Sequence, residues 1–167
     1  LRYFNVFGEN QSLNSDYSAV FPAFFNAIKE NKPITIHGDG EQTRDFTYVK
    51  NVVYVNVECA LKGAKHSILN VGQGNSISIN TLAKKIIDVS DKKTHEIIYT
   101  NKRNGDVRDT LACTKRLSKS YNIADFINFN TGLALTAEFY LNEKEYYKNL
   151  HKEYLSYFLD KGVENGA

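Results

Sequence analysis

Apolar positions change period several times along the chain, and each change predicts an element. "LRYFNV", Leu1 to Val6, is dense in aromatic and β-branched residues ahead of Gly8 and predicts a buried strand. Phe21, Phe24, Phe25 and Ile28 recur at three- and four-residue spacings, a helix that Asp16 or Ser18 can cap and that stops near Asn31, ahead of Pro33. "PITIHG" and "RDFTYV" predict two short strands flanking the loop "GDGEQT". In "NVVYVNVECALKG" the β-branched residues favour a strand. Val52, Val55 and Cys59 keep helical spacing, however, Gly63 offers a stop, and the run is long for a strand, so it reads as helix. "SILNVG" predicts a buried strand; Ser78 then caps a helix with Leu82, Ile86 and Val89 on one face. "HEIIYT" predicts another strand and "TKRLSKSYNI" a short helix. A long helix runs from about Thr131 to Leu159, with Tyr146, Leu150, Tyr154 and Phe158 as its stripe. Alternating strands and helices define an α/β protein.

Composition narrows the partners. With 167 residues, 42% of them hydrophobic, the chain can fill one ordinary core in one or two subdomains. Its 21 basic and 19 acidic residues give a net charge of +2 without a run of like charge, which argues against a nucleic-acid partner. Cys59 and Cys113 stand far apart, and the four histidines are scattered. This suits a reducing cytoplasm and offers no metal site. No stretch is apolar enough for a membrane span, and no secretion signal opens the chain. The sequence has no methionine and opens inside an apparent strand, so the expectation is a single fragment, residues 1–167, of a longer protein.

Candidate chemistry concentrates in two loops. In "GDGEQTRDFTYV", Gly38 to Val49, closely spaced glycines let backbone amides approach a ligand, and Arg44 offers a planar fork that matches a phosphate or carboxylate. The alternative is a hairpin in which Arg44 pairs with Asp45, Asp39 or Glu41. "NKRNGDVRDT" again sets arginines, Arg103 and Arg108, around a Gly-Asp turn, where a solvated charged loop is the alternative. Together the loops suit a diphosphate, whose charges call for more than one cation, with an Asp free to accept from a ribose diol.

Read in order, "LRYFNVFG", "YSAVFP", "GDGEQTRDFTYV", "ILNVG" with "SINTLAKKI", "RNGDVRDT" and "GLALTAEFY" resemble the C-terminal half of NAD-dependent nucleotide-sugar epimerases and dehydratases. These are extended short-chain dehydrogenases, and the UDP-N-acetylglucosamine and UDP-glucose 4-epimerases are nearest in pattern. The resemblance covers roughly Leu1 to Tyr140. It implies the C-terminal part of an extended Rossmann-type NAD(P)-binding fold with its small substrate-binding subdomain.

The same resemblance implies a role for each matched residue. Tyr3 would lie beside the nicotinamide of NAD, and Asn5 would hydrogen-bond the nucleotide sugar near its diphosphate. Ala19 and Val20 would border the nucleotide. Thr35 and His37 would hold the uracil, although relatives often carry Asn or an aromatic residue at position 37. Arg44 and Arg103 would grip the diphosphate and Asp106 the ribose. Thr110, being small, would leave room for an N-acetyl group on the sugar. Cys113 stands where relatives usually have Asp and reads as a small buried thiol; Thr81 replaces a common capping Glu.

The family's G-x-x-G-x-x-G turn is absent from the sequence, and no Tyr-x-x-x-Lys pair sits in a place that matches the family's. Tyr99 to Arg103 approximates the pair but ends in an arginine that stays protonated. No catalytic residue is therefore assigned, and NAD would be bound mainly by a missing N-terminal half. The expected parent is a cytoplasmic, homodimeric UDP-sugar 4-epimerase of polysaccharide precursor synthesis, with the fragment alone inactive. A 4,6-dehydratase, a uronate epimerase or decarboxylase, and a noncatalytic nucleotide-sugar-binding remnant are the alternatives.

Overall fold

Parallel pairing between segments far apart in sequence organises the chain. The computed structural model describes residues 1–12, 20–62, 68–92, 94–142 and 146–147. Strand β1 (Arg2–Tyr3) pairs parallel with β6 (Asn70–Val71), β2 (Val6–Phe7) with β5 (Thr47–Tyr48), and β3 (Ile34–His37) with β8 (Ile97–Thr100). The short β4 (Thr43–Arg44) runs antiparallel to β7 (Ile77–Ser78), and Thr43 bridges to Asp109 on its other side. Five helices complete the order: α1 (Val20–Lys29), α2 (Val49–Lys62), α3 (Ile79–Val89), α4 (Lys115–Ser120) and α5 (Phe129–Leu141).

Caps explain the helix limits better than proline does. Asn31 takes φ 53 just after α1, its N–H donates to the Ile28 carbonyl at 3.1 Å, and the Lys32 N–H reaches the Ala27 carbonyl at 2.8 Å. This is a Schellman closure with asparagine in the left-handed position, and Pro33 follows it. Helix α3 ends the same way on Asp91, φ 54, with the Lys92 N–H reaching back to Ile87. At its start the Ser78 hydroxyl accepts from the Thr81 N–H at 3.1 Å, the cap read from sequence. The cap residues proposed for α1, Asp16 and Ser18, lie outside the described residues.

The strand expected over Leu1 to Val6 is interrupted. Asn5 adopts φ 30, a conformation costly for a non-glycine residue. Its side chain stabilises the kink by donating to the Asp45 carbonyl at 3.2 Å and to Thr110 Oγ1 at 2.9 Å. Leu1, Arg2 and Tyr3 are exposed rather than buried. "RDFTYV" likewise divides into β4 and β5 around the fully buried Asp45. Helix α5 ends at Leu141, where Asn142 leaves helical geometry (φ −140, ψ 54), so the helix expected to reach Leu159 stops earlier; Leu150, Tyr154 and Phe158 lie outside the described residues.

Two apolar clusters result. The larger joins Phe21, Phe25 and Ile28 of α1, Ile34 and Ile36 of β3, Leu82 and Ile86 of α3, and Leu133 and Ala137 of α5. At its centre Phe7 stacks on Phe21 with ring centroids 4.3 Å apart, and Phe46 meets Phe21 edge-on at 5.1 Å. Gly132 lets α5 lie directly on Tyr48: a Cβ there would stand 2.7 Å from the ring's Cγ. The smaller cluster packs Val52 and Val55 of α2 against Leu69, Val71, Leu117 and Tyr121.

Candidate functional site

An open cleft of about 940 Å³ runs between α1, the C-terminal end of β3 and the loop after β8. It is lined by Phe21, Phe24, Phe46 and Ile79 and by polar residues that include Asn5, Thr35, His37, Arg44, Arg103 and Asp106. An apolar trough with a few charged anchors is the usual form of a small-molecule site. Of the residues singled out from sequence, Asn5, Val20, Thr35, His37, Arg44, Arg103 and Asp106 all line it. Ala19 lies outside the described residues. Tyr3 and Thr110 are not among the lining residues: Tyr3 is exposed, with its hydroxyl donating to Asn56 Oδ1 at 2.9 Å, while Thr110 stands behind Asn5.

The two charged loops are zipped together. The Thr43 N–H donates to the Arg108 carbonyl at 2.9 Å and the Thr110 N–H to the Thr43 carbonyl at 3.1 Å. Thr43 Oγ1 donates to Asp109 Oδ1 at 2.7 Å, and Arg108 Nη1 grips both oxygens of Asp39 at 2.8 and 2.9 Å. The guanidinium holds the Asp39 carboxyl below its ordinary range, first through this hydrogen bond and then with help from the Glu41 N–H. Gly38 at φ +84 and Gly40 at φ +75 let the chain turn tightly enough for Asp39 to face the second loop.

Arg44 takes neither of the two courses considered for it. It does not pair within its own loop, nor does it stand free. Its Nη2 donates to Asp106 Oδ1 at 2.5 Å, while Nη1 donates to the Thr43 carbonyl at 2.7 Å and the Arg108 carbonyl at 3.1 Å. The side chain is only 13% exposed, against 29% for Asp106. Arg103 has a different setting. Its Nη2 meets His37 Nε2 at 2.9 Å, and His37 Nδ1 meets Thr100 Oγ1 at 2.8 Å. An arginine has no acceptor to offer, so Nε2 must accept and Nδ1 must carry the proton, donating to the threonine. Both ring nitrogens are thereby engaged, leaving the ring's face and carbon edge toward the cleft.

Sequence reasoning missed the residue that anchors this wall. The buried Asp45 carboxylate accepts from three backbone amides, Gln73 at 2.9 Å and Gly74 and Ala112 at 3.0 Å. Two loops, at residues 73–74 and at residue 112, are thus fixed to one side chain beside Arg44. A carboxylate directly before the apolar Phe46 in "RDF" was the available signal. Ala112 takes the inward position, and its neighbour Cys113 is turned outward, an exposed thiol rather than the buried one expected. Among the described residues no group of histidines, cysteines and carboxylates could hold a metal ion, and no helix is long and apolar enough to cross a membrane.

The strand–helix order and the charged cleft define a mixed α/β chain of the extended Rossmann-like epimerase and dehydratase fold. The family model of the NAD dependent epimerase/dehydratase family matches residues 1–72. UDP-glucuronate 4-epimerase of Thermodesulfobacterium geofontis is 34% identical over 151 residues, covering 90% of this chain and 45% of that protein. Human dTDP-D-glucose 4,6-dehydratase is 28% identical over 155 residues, covering 89% and 43%. The structure of UDP-N-acetylglucosamine 4-epimerase from Methanobrevibacter ruminantium M1, in complex with UDP-N-acetylmuramic acid, superposes with a TM-score of 0.78 at 37% identity, covering 85% of this chain and 45% of that one. Residues 1–72 thus match the NAD dependent epimerase/dehydratase family, and the relatives that align along most of the chain are nucleotide-sugar epimerases and dehydratases. The chain spans less than half the length of these relatives.

Proposed function

We propose that the cleft binds the nucleotide diphosphate of a UDP-sugar, and that the chain is the C-terminal, substrate-binding part of a cytoplasmic, homodimeric NAD-dependent UDP-sugar 4-epimerase. The single observation that carries the reading is that Arg44, Arg103, Asp106 and Asn5 line one largely apolar cleft, with Asp106 bonded both to Arg44 and to the Arg103 backbone. Two guanidinium groups match the charge and geometry of a diphosphate, each charge-assisted bond contributing on the order of 1.5 to 3 kcal/mol. In this reading Arg44 and Arg103 hold the phosphates and Asp106 the ribose. Val20, Thr35 and His37 enclose the uracil.

The sugar then lies toward Asn5 and Thr110. The Thr110 hydroxyl already accepts from Asn5 Nδ2, so its influence on the sugar is one of size, and its small side chain leaves room for a 2-N-acetyl group. The likeness to a UDP-N-acetylglucosamine 4-epimerase supports N-acetylhexosamine substrates for a polysaccharide precursor pathway. A uronate 4-epimerase is the second reading, favoured by the match to UDP-glucuronate 4-epimerase over 90% of the chain.

NAD does not fit the residues of this chain alone. No G-x-x-G-x-x-G run occurs in its sequence, and Tyr3 is the single residue assigned toward the nicotinamide. The chain's share of the chemistry is therefore to bind and orient the nucleotide sugar. Calorimetry tests this: UDP-N-acetylglucosamine should bind, Arg103→Ala and Arg44→Ala should each weaken it at least tenfold, and Thr110→Tyr should weaken it relative to UDP-glucose. Equal binding by both arginine variants would refute the diphosphate assignment, and an unchanged sugar preference the size gate.

A further inference from the structure

Three carboxylates stand close to the arginines of the cleft, and their pairings are unequal. Asp39 belongs to Arg108, on the outer surface, where both side chains are more than half exposed. Asp109 is taken by Thr43 Oγ1. Asp106 alone sits on a cleft arginine, and the pair it forms with Arg44 is the least exposed of the ion pairs among the described residues. Arg103, by contrast, leans on a neutral imidazole, so its charge is not offset by an acid in the same way.

From this asymmetry we infer that Asp106 is a placeholder anion: in the vacant cleft its carboxylate occupies the position on Arg44 that a phosphate of the ligand takes over. Arg44 has five N–H donors. Two bonds from Nη1 fix it to the carbonyls of Thr43 and Arg108, and one from Nη2 goes to Asp106. With so little of the side chain exposed, a phosphate cannot reach Nη2 fully while Asp106 Oδ1 remains 2.5 Å from it. The two carbonyl bonds need not change, so the guanidinium stays aimed while its anionic partner is exchanged. Asp106 belongs to the turn closed by its own N–H on the Arg103 carbonyl at 3.3 Å, beside Gly105 at φ +79 and free of contact, which is where the backbone can yield. Released from Arg44, the carboxylate is free to accept from the ribose.

The exchange has a cost and a use. An unpaired arginine in a partly buried wall would be poorly solvated, and Asp106 satisfies it until ligand arrives. The same carboxylate returns when the diphosphate leaves, so it lowers affinity and speeds release. Asp106 is thus a positioning and specificity residue: it weakens ligands that need Arg44 relative to phosphate-free ones.

The inference rests on the UDP-sugar reading, and the test separates the two. In the full-length protein, UDP and uridine binding would be measured by calorimetry for the unaltered protein, Asp106→Asn, Arg44→Gln and the double variant. Asparagine keeps an acceptor for the ribose but no charge for Arg44. Asp106→Asn should raise the affinity for UDP relative to that for uridine three- to tenfold, with slower UDP dissociation in stopped flow. In the Arg44→Gln background the gain should vanish, because the effect passes through that arginine and not through the general potential of the cleft. A gain that persists without Arg44, no gain at all, or equal weakening of UDP and uridine would each overturn the placeholder role while leaving the UDP reading intact. An unaltered protein that binds no UDP would overturn both.

Discussion

Asp45 carries more of the cleft than any residue that faces it. Its two carboxylate oxygens collect the amides of Gln73, Gly74 and Ala112, and its own carbonyl accepts from Asn5, so four segments meet at one buried side chain. Replacing it with alanine would strand three N–H groups, that of Ala112 buried and those of Gln73 and Gly74 partly so. At about 1 kcal/mol or more for each, Asp45→Ala should cost on the order of 3 kcal/mol. The urea midpoint should then fall by about 1 M or more, given a slope of about 1 to 3 kcal/mol per molar for a domain of this size. UDP binding at low temperature, where the fold persists, should weaken as well because Arg44 loses the anchor beside it. An unchanged midpoint would show that the segments hold one another without the carboxylate. Position 45 was hard to read beforehand because Asp45 adjoins Arg44 in sequence, which suggests a local pair, whereas Arg44 pairs with Asp106 and the Asp45 carboxylate takes the amides of Gln73, Gly74 and Ala112.

At the scale of elements, β5 and α5 are each tied to the segment after β2 through a phenol. Tyr48 donates to Glu9 Oε1 at 2.6 Å, and Tyr140 of α5 donates to the Gln11 carbonyl at 2.8 Å. Burial pushes both phenols up, Tyr48 with the further effect of Glu9 and Tyr140 to about 12 despite its bond to the Gln11 carbonyl. In the unfolded chain tyrosine releases its proton near pH 10. Between pH 10 and 12 the native state therefore binds more protons than the unfolded one, and stability must fall as pH rises through that window. Below pH 10 these groups contribute no slope. Urea unfolding measured from pH 9 to 12 should show the decline, and Tyr140→Phe should make it shallower; a flat profile would contradict the burial of these hydroxyls.

The same scale shows what the chain disclosed of itself. Helices α1, α2 and α3 were legible because their apolar spacing persists over several turns and Ser78 supplies a recognisable cap. The strands were legible as apolar runs but not as breaks. β1, β2, β4 and β5 hold two residues each, and what divides them is the kink at Asn5 and the buried Asp45. Both features are stabilised by partners far along the chain, which a local pattern does not record. The cleft residues from Asn5 to Asp106 were found through two arginine loops and a family likeness. The pairing of Arg44 with Asp106 was not, because either residue satisfies its chemistry equally well with ligand or with the other.

For the molecule as a whole, the outer face of α2 decides how it behaves in solution. Val52 and Val55 point into the smaller core, but Val53, Val57 and Leu61 repeat every four residues on the other side and are all exposed. Exposed apolar residues scattered singly are ordinary; three in register on one helix form a continuous strip. Burying it between two copies would remove apolar area worth roughly 25 cal/mol per Å² from water, and no charged residue at positions 53, 57 or 61 opposes that contact. The 167-residue chain should therefore associate in a concentration-dependent way in sedimentation velocity. The paired substitution Val57→Lys with Leu61→Lys should abolish this while changing stability by no more than about 0.5 kcal/mol, since neither side chain supports the core. If the unaltered chain stays monomeric at high concentration, the strip is too narrow or too mobile to drive contact. If the double variant unfolds, α2 depends on that face more than its exposure implies.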